Sequence, residues 1–149
     1  MFRLCLSINN DILKKTKPMK LLITFLLLSL LKIGIAQENF NLDTLQPNQV
    51  YENILAEPIY VNENNSYFVI WIKKSVKSHK HKTHTETITV IEGEGIMTVG
   101  KKSFTIKKGD FFEIPKNTFH ALKVTSEIPM KVLSIQTPIF DGTDRVFED

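Results

Sequence analysis

The stretch HKHKTHTE, His79 to Glu86, holds three of the chain's four histidines and one glutamate within eight residues. Imidazole nitrogens and carboxylate oxygens are donors to divalent transition metals. The fourth histidine, His120, lies some thirty residues further on, within FHALKVT. Alternate side chains of an extended chain share a face, so His79 and His81 point the same way. Glu86 shares its face with Ile88 and Val90, and His120 shares its face with Leu122 and Val124. Both polar residues therefore fall on an apolar, inward face, where a buried polar group needs a partner. Three imidazoles and a carboxylate aimed at one point would hold one divalent transition metal; the set suits Fe, Mn, Ni, Cu or Zn. His84, two residues before Glu86, can share that inward face. It is a candidate for acid/base catalysis, for a substitute ligand or for support behind the ligands, with a solvent-facing position as the alternative. The competing reading of the whole stretch is a solvated, His-rich loop, against which the inward parity of Glu86 and His120 stands.

The surrounding elements read as strands. NILAEPIYV (Asn53 to Val61) contains Pro58, which suits an edge strand. SYFVIWI (Ser66 to Ile72) is a continuous β-branched and aromatic run, as in a buried strand. Beyond the histidines come TETITVI, GIMTV, KSFTI, FFEIP, FHALKVT and MKVLSIQT, with turn signals every eight to twelve residues. No segment here has helical periodicity. The pattern predicts an all-β sandwich or barrel. Phe104, Ile106, Phe112, Ile114 and Leu122 have inward parity and would line an apolar interior. Gly93, Gly95, Gly109 and Pro115 serve its turns.

These residues resemble the two motifs of the cupins, a superfamily of small jelly-roll β-barrels. The first is Gly, five residues, His-x-His, three or four residues, Glu, six residues, Gly. Here His79-Lys80-His81 is followed by four residues, Glu86, six residues and Gly93. The second is Gly, five residues, Pro, one residue, Gly, two residues, His, three residues, Asn. Here Gly109 leads to Pro115, Asn117 and His120. Lys73 stands in place of the opening Gly, Asn117 in place of the Gly after Pro115, and Val124 in place of the closing Asn. None of the three is a ligand position, and Asn tolerates the left-handed backbone. The resemblance covers roughly residues 66–137. It implies a single jelly-roll domain with metal ligands His79, His81, Glu86 and His120, and dimers formed by exchange of N-terminal strands, for which residues 53–61 are suited. On a six-coordinate ion, four such ligands leave two open positions, the mark of a catalytic site.

Residues 1–36 read as a secretory leader. Met19-Lys20 precedes the apolar run LLITFLLLSLL, which ends at Lys32 and is followed by small residues at Gly34 and Ala36. Met19 is an alternative start to Met1. The run is short for a membrane span. The leader carries six Lys/Arg and one acid, which leaves 13 basic and 15 acidic residues in 37–149. The basic balance of the whole chain thus belongs to the leader and gives no ground for nucleic-acid binding. The single cysteine, Cys5, also lies in the leader, so 37–149 can form no disulfide and supply no thiolate. The expected organisation is a leader (1–36), an N-terminal arm with an edge strand (37–65) whose start is polar and flexible, a barrel (66–137) and a polar tail (138–149). The function expected is that of an exported, periplasmic or secreted cupin. It would bind or act on a small oxygen-rich molecule (an organic acid, phenolic or sugar derivative) as a dioxygenase, decarboxylase or isomerase. The alternative is a non-catalytic module that binds a small molecule or metal, without stable membrane insertion once the leader is gone. Asp141, Asp144 and Arg145 are expected to stay solvated.

Overall fold

The computed structural model describes residues 39–148; the expected leader, 1–36, lies outside them. The described residues form ten strands and no helix: β1 (Ile54–Val61), β2 (Ser66–Ile72), β3 (Ser75–His81), β4 (Thr85–Glu92), β5 (Glu94–Val99), β6 (Lys102–Lys107), β7 (Phe111–Ile114), β8 (His120–Val124), β9 (Met130–Thr137) and β10 (Arg145–Phe147). They build two five-stranded antiparallel sheets, ordered β1-β2-β9-β4-β7 and β10-β3-β8-β5-β6. This is the expected all-β jelly roll. No helix among the described residues is long and apolar enough to cross a membrane.

The main core lies between the sheets, where Ile72, Ile88, Val90, Met97, Ile106, Ile114, Leu122 and Val132 pack together. Each such side chain contributes about 1.5–3 kcal/mol by leaving water. Pro58 sits in the edge strand β1, where the register against β2 shifts between Pro58 and Tyr60. A proline there costs no central ladder bond. Phe104 departs from the expected inward set: it is 37% exposed on the edge strand β6 and packs edge-on against Phe112 with ring centroids 5.5 Å apart. On an edge strand the alternation is covered on one side only.

Two further expectations are corrected. The start of the arm is not a flexible tether over residues 39–49. Leu42 and Leu45, with Tyr51, pack on Leu55, Val69 and Trp71, covering the outer face of the first sheet. That is why SYFVIWI is apolar on both faces: one looks into the sandwich and the other under the arm. Lys131, opposite Trp71 and almost fully buried, donates from Nζ to the Asp43 carbonyl at 3.2 Å and ties the arm down. The tail is not merely solvated either, because β10 adds an edge strand to β3. Asn117 adopts φ +58°, the left-handed backbone the glycine substitution requires, and its N–H donates to the His81 carbonyl at 2.6 Å.

Candidate metal centre

The polar strand β3 carries His79 and His81 on one face, both buried. Across a register shift after Val76, β3 pairs with β8 so that His79 lies directly opposite His120. Their ring centroids are 4.2 Å apart. Glu86 comes from β4 in the facing sheet, between Ile114 of β7 and Gln136 of β9. Three imidazoles from one sheet and one carboxylate from the other thus meet at one end of the sandwich. One donor atom from each of His79, His81 and His120 lies within 4.8 Å of the others. Glu86 Oε2 is 3.5 Å from His120 Nε2 and 3.8 Å from His81 Nε2.

Each imidazole is fixed from behind. His79 Nδ1 donates to the Lys77 carbonyl at 2.8 Å, and His120 Nδ1 to the Thr118 carbonyl at 3.1 Å. His81 Nδ1 donates to Asp144 Oδ1 at 3.1 Å. With Nδ1 protonated, a neutral ring presents its Nε2 lone pair to the cluster. His81 Nε2 and His120 Nε2 are buried and have no hydrogen-bond partner among the described residues. Buried polar atoms are seldom left so unless something else fills the place. Glu86 is fixed in the same way: Ser134 Oγ donates to its Oε1 at 2.5 Å and Gln136 Nε2 at 3.4 Å, leaving Oε2 for the cluster.

The protonation states of His79 and Glu86 agree with this arrangement. Burial, reinforced by the neighbouring His120, Arg145 and His81, lowers His79 to about 4 despite its bond to Lys77. Burial by itself would raise Glu86, but His120, Ser134 and His81 outweigh it and bring the carboxyl to about 2. Neutral imidazole and ionised carboxylate are the forms that ligate a cation. The donor set and its orphaned nitrogens therefore fit a divalent transition ion.

His84 is buried, not solvent-facing, and its ring nitrogens are both occupied elsewhere. Nδ1 is bound to Asp144 Oδ2, and Nε2 donates to the Ile139 carbonyl at 2.8 Å. A carboxylate and a carbonyl only accept, so both nitrogens carry protons and the ring is an imidazolium. Burial opposes that charge, yet the Ile139 carbonyl and the Asp144 carboxylate raise the His84 pKa above its ordinary value. Asp144, only 7% exposed, was expected in solvent; it joins His81, His84 and Thr83 instead. Burial would raise its carboxyl, but these hydrogen bonds hold it well below the usual carboxylate range. A single acid in a turn-rich tail has no periodicity to announce this role. The nearest signal is its place one residue before Arg145, where β10 begins opposite His81.

A cavity of about 130 Å³ opens between the sheets beside these residues. Its walls are mostly apolar, from Ile72, Ile88, Met97, Ile106, Ile114 and Leu122, with His79, His81, Glu86, Gln136 and Arg145 as polar members.

The Cupin domain family matches residues 66–136. A protein of Aquifex aeolicus with no assigned function is 38% identical over 92 residues, 60% of this chain and 75% of its own length. The quercetin 2,3-dioxygenase of Bacillus subtilis is 28% identical over 74 residues, 50% of this chain but only 22% of the dioxygenase. A Klebsiella pneumoniae protein solved with a double-stranded β-helix domain superposes with a TM-score of 0.63 at 19% identity, covering 76% of this chain and 98% of that one. By these matches and by its jelly roll of paired antiparallel sheets, the chain belongs to the cupin family.

Proposed function

We propose that this protein is an exported metal-dependent cupin that acts on a small oxygen-rich molecule at a centre held by His79, His81, Glu86 and His120. One observation carries the reading: two buried Nε2 atoms, of His81 and His120, lack partners beside the Glu86 carboxylate. A bound Fe, Mn, Ni, Cu or Zn ion would supply Lewis acidity toward a substrate oxygen. The chain's own part is to hold the four donors in ligating form and orientation. Its apolar walls exclude water around them and shape the space for the substrate. Similarity to a dioxygenase over a part of its length supports oxygen chemistry.

A second reading, a binding module without turnover, is favoured by the position of His84. With both of its nitrogens engaged, His84 is not free to exchange a proton with a substrate, and Glu86 is the sole carboxylate in the cavity wall among the described residues. We give His84 the role of holding Asp144, and through it His81, in place of an acid/base role. A homodimer is part of the proposal: β1 is a sheet edge with Tyr60 57% exposed, and Ile54 and Val61 are also open for a second copy. A monomer in sedimentation would remove that part.

The deciding experiment is elemental analysis of the purified protein beside His81→Ala and Glu86→Ala. One transition ion per chain, lost in both variants, is the expected result. No ion in the wild type, with metal affinity unchanged in the variants, would sink the reading.

A further inference from the structure

Gln136 on β9 lines the cavity, is 3% exposed, and has a buried Oε1 with no hydrogen-bond partner among the described residues. Its orientation follows from Glu86. A carboxylate only accepts, so the amide must turn Nε2 toward Glu86 Oε1, 3.4 Å away, and Oε1 is the atom left over. That atom is an acceptor waiting for a donor, and the metal ligands have none to give it.

The charge of the wall narrows the donor's owner. Among the described residues, Glu86 is the one carboxylate of the wall and Arg145 the one Lys or Arg. Among the described residues Arg145 has no salt-bridge partner; its guanidinium lies 5.8 Å from the Phe140 ring, which in turn packs against His81 and His84. The nearby Asp144 is not part of the wall; its carboxylate is taken up by His81, Thr83 and His84. A divalent ion at the four ligands would thus leave the cavity with an excess of positive charge. An ammonium donor would add to that excess, whereas a hydroxyl would not. The cavity, about 130 Å³, approaches the volume of roughly 150 Å³ that takes a benzene ring.

We infer that the cavity binds a small carboxylate that also bears a hydroxyl group, the hydroxyl donating to Gln136 Oε1 and the carboxylate pairing with Arg145. This rests on reading the cavity as the substrate site, and it narrows the oxygen-rich molecule proposed above to a hydroxy acid.

The test is calorimetric titration of the purified protein with two matched pairs, salicylate against benzoate and lactate against propionate. Metal content is measured on the same samples. At least one hydroxy acid is expected to bind about tenfold more tightly than its partner, the worth of one well-formed hydrogen bond. Gln136→Met should remove that preference, the hydroxy acid losing about tenfold more affinity than the plain acid. Arg145→Ala should weaken both members of the pair about fivefold, with most of the affinity kept in Arg145→Lys. Equal binding within both pairs, or no binding of any of the four at millimolar concentration, overturns the inference. So does a preference that persists in Gln136→Met, which would come from chelation of the ion. The two readings fail separately. A Gln136-dependent preference in protein that holds no ion, and whose metal affinity is unchanged in His81→Ala and Glu86→Ala, sinks the metal centre and supports the hydroxy acid, while bound ion without that preference does the reverse.

Discussion

His81 differs from its two neighbours in what stands behind it. His79 and His120 lean on backbone carbonyls, whereas His81 leans on the Asp144 carboxylate. A carboxylate behind a ligating imidazole fixes its tautomer and strengthens it as a donor. Asp144→Ala is therefore expected to weaken metal binding about 10- to 100-fold, measured by competition with a chelator. Unchanged affinity would mean that His81 needs no such support. The Asp144–His84 pair also has a pH window. Asp144 is lowered, so its contribution is full above the ordinary value of 3.8 and is lost as pH falls through the lowered one. His84 is raised, so its contribution is full below 6.5 and is lost as pH rises through the raised value. The pair is at full strength between these limits. Nitrogen NMR of His84 should show a midpoint above 6.5 that drops in Asp144→Ala; a midpoint at or below 6.5 in the wild type would show that the ring is not held as a cation. The grouping of His79, His81, Glu86 and His120 was legible because a two-residue period and inward parity are local properties. Asp144 was not legible, because it reaches His81 from 63 residues away through a three-residue strand.

Strands show in a sequence when their inward positions are apolar, and β3 breaks that rule. SVKSHKH puts histidines where Val or Ile would stand, so it reads as a loop, although it pairs on both sides. The strands with apolar alternation, such as β4 and β9, were visible throughout. The connection from β4 to β5 was visible as well, because Gly93 marks it. At φ +82° a side chain is strained, and a Cβ there would lie 2.9 Å from the Met130 Cα. Gly93→Ala is expected to cost about 2–4 kcal/mol, from backbone strain and a contact that cannot yield. Denaturant melts would measure it, and a loss under about 0.5 kcal/mol, the range of an ordinary surface change, would mean that the turn opens without cost. The arm was misread because its few apolar residues, Leu42 and Leu45, are spaced along a turn instead of a strand. Asn41 organises that turn by accepting the Leu45 N–H at its carbonyl, 3.0 Å away.

At the scale of the molecule, the proposal of export makes a direct forecast. When the full chain is expressed in a cell with a working secretory pathway, the exported protein should begin at Gln37, as read by N-terminal sequencing; a chain that keeps residues 1–36 would sink it. The exported form would lack Cys5 and with it any disulfide. The placement of the four candidate ligands then matters in a different way. His79, His81 and His120 belong to one sheet and Glu86 to the other, so an ion bound by all four would bolt the two halves of the sandwich together. At 100 times its dissociation constant such an ion adds about 2.7 kcal/mol to stability. That is a rise of about 10 °C in Tm for a domain of this size, expected in the wild type, reversed by a chelator and absent in Glu86→Ala. A disulfide would be a permanent clasp, but this one would tighten or slacken with the metal outside the cell, so the lifetime of the fold would itself gauge how much metal is at hand.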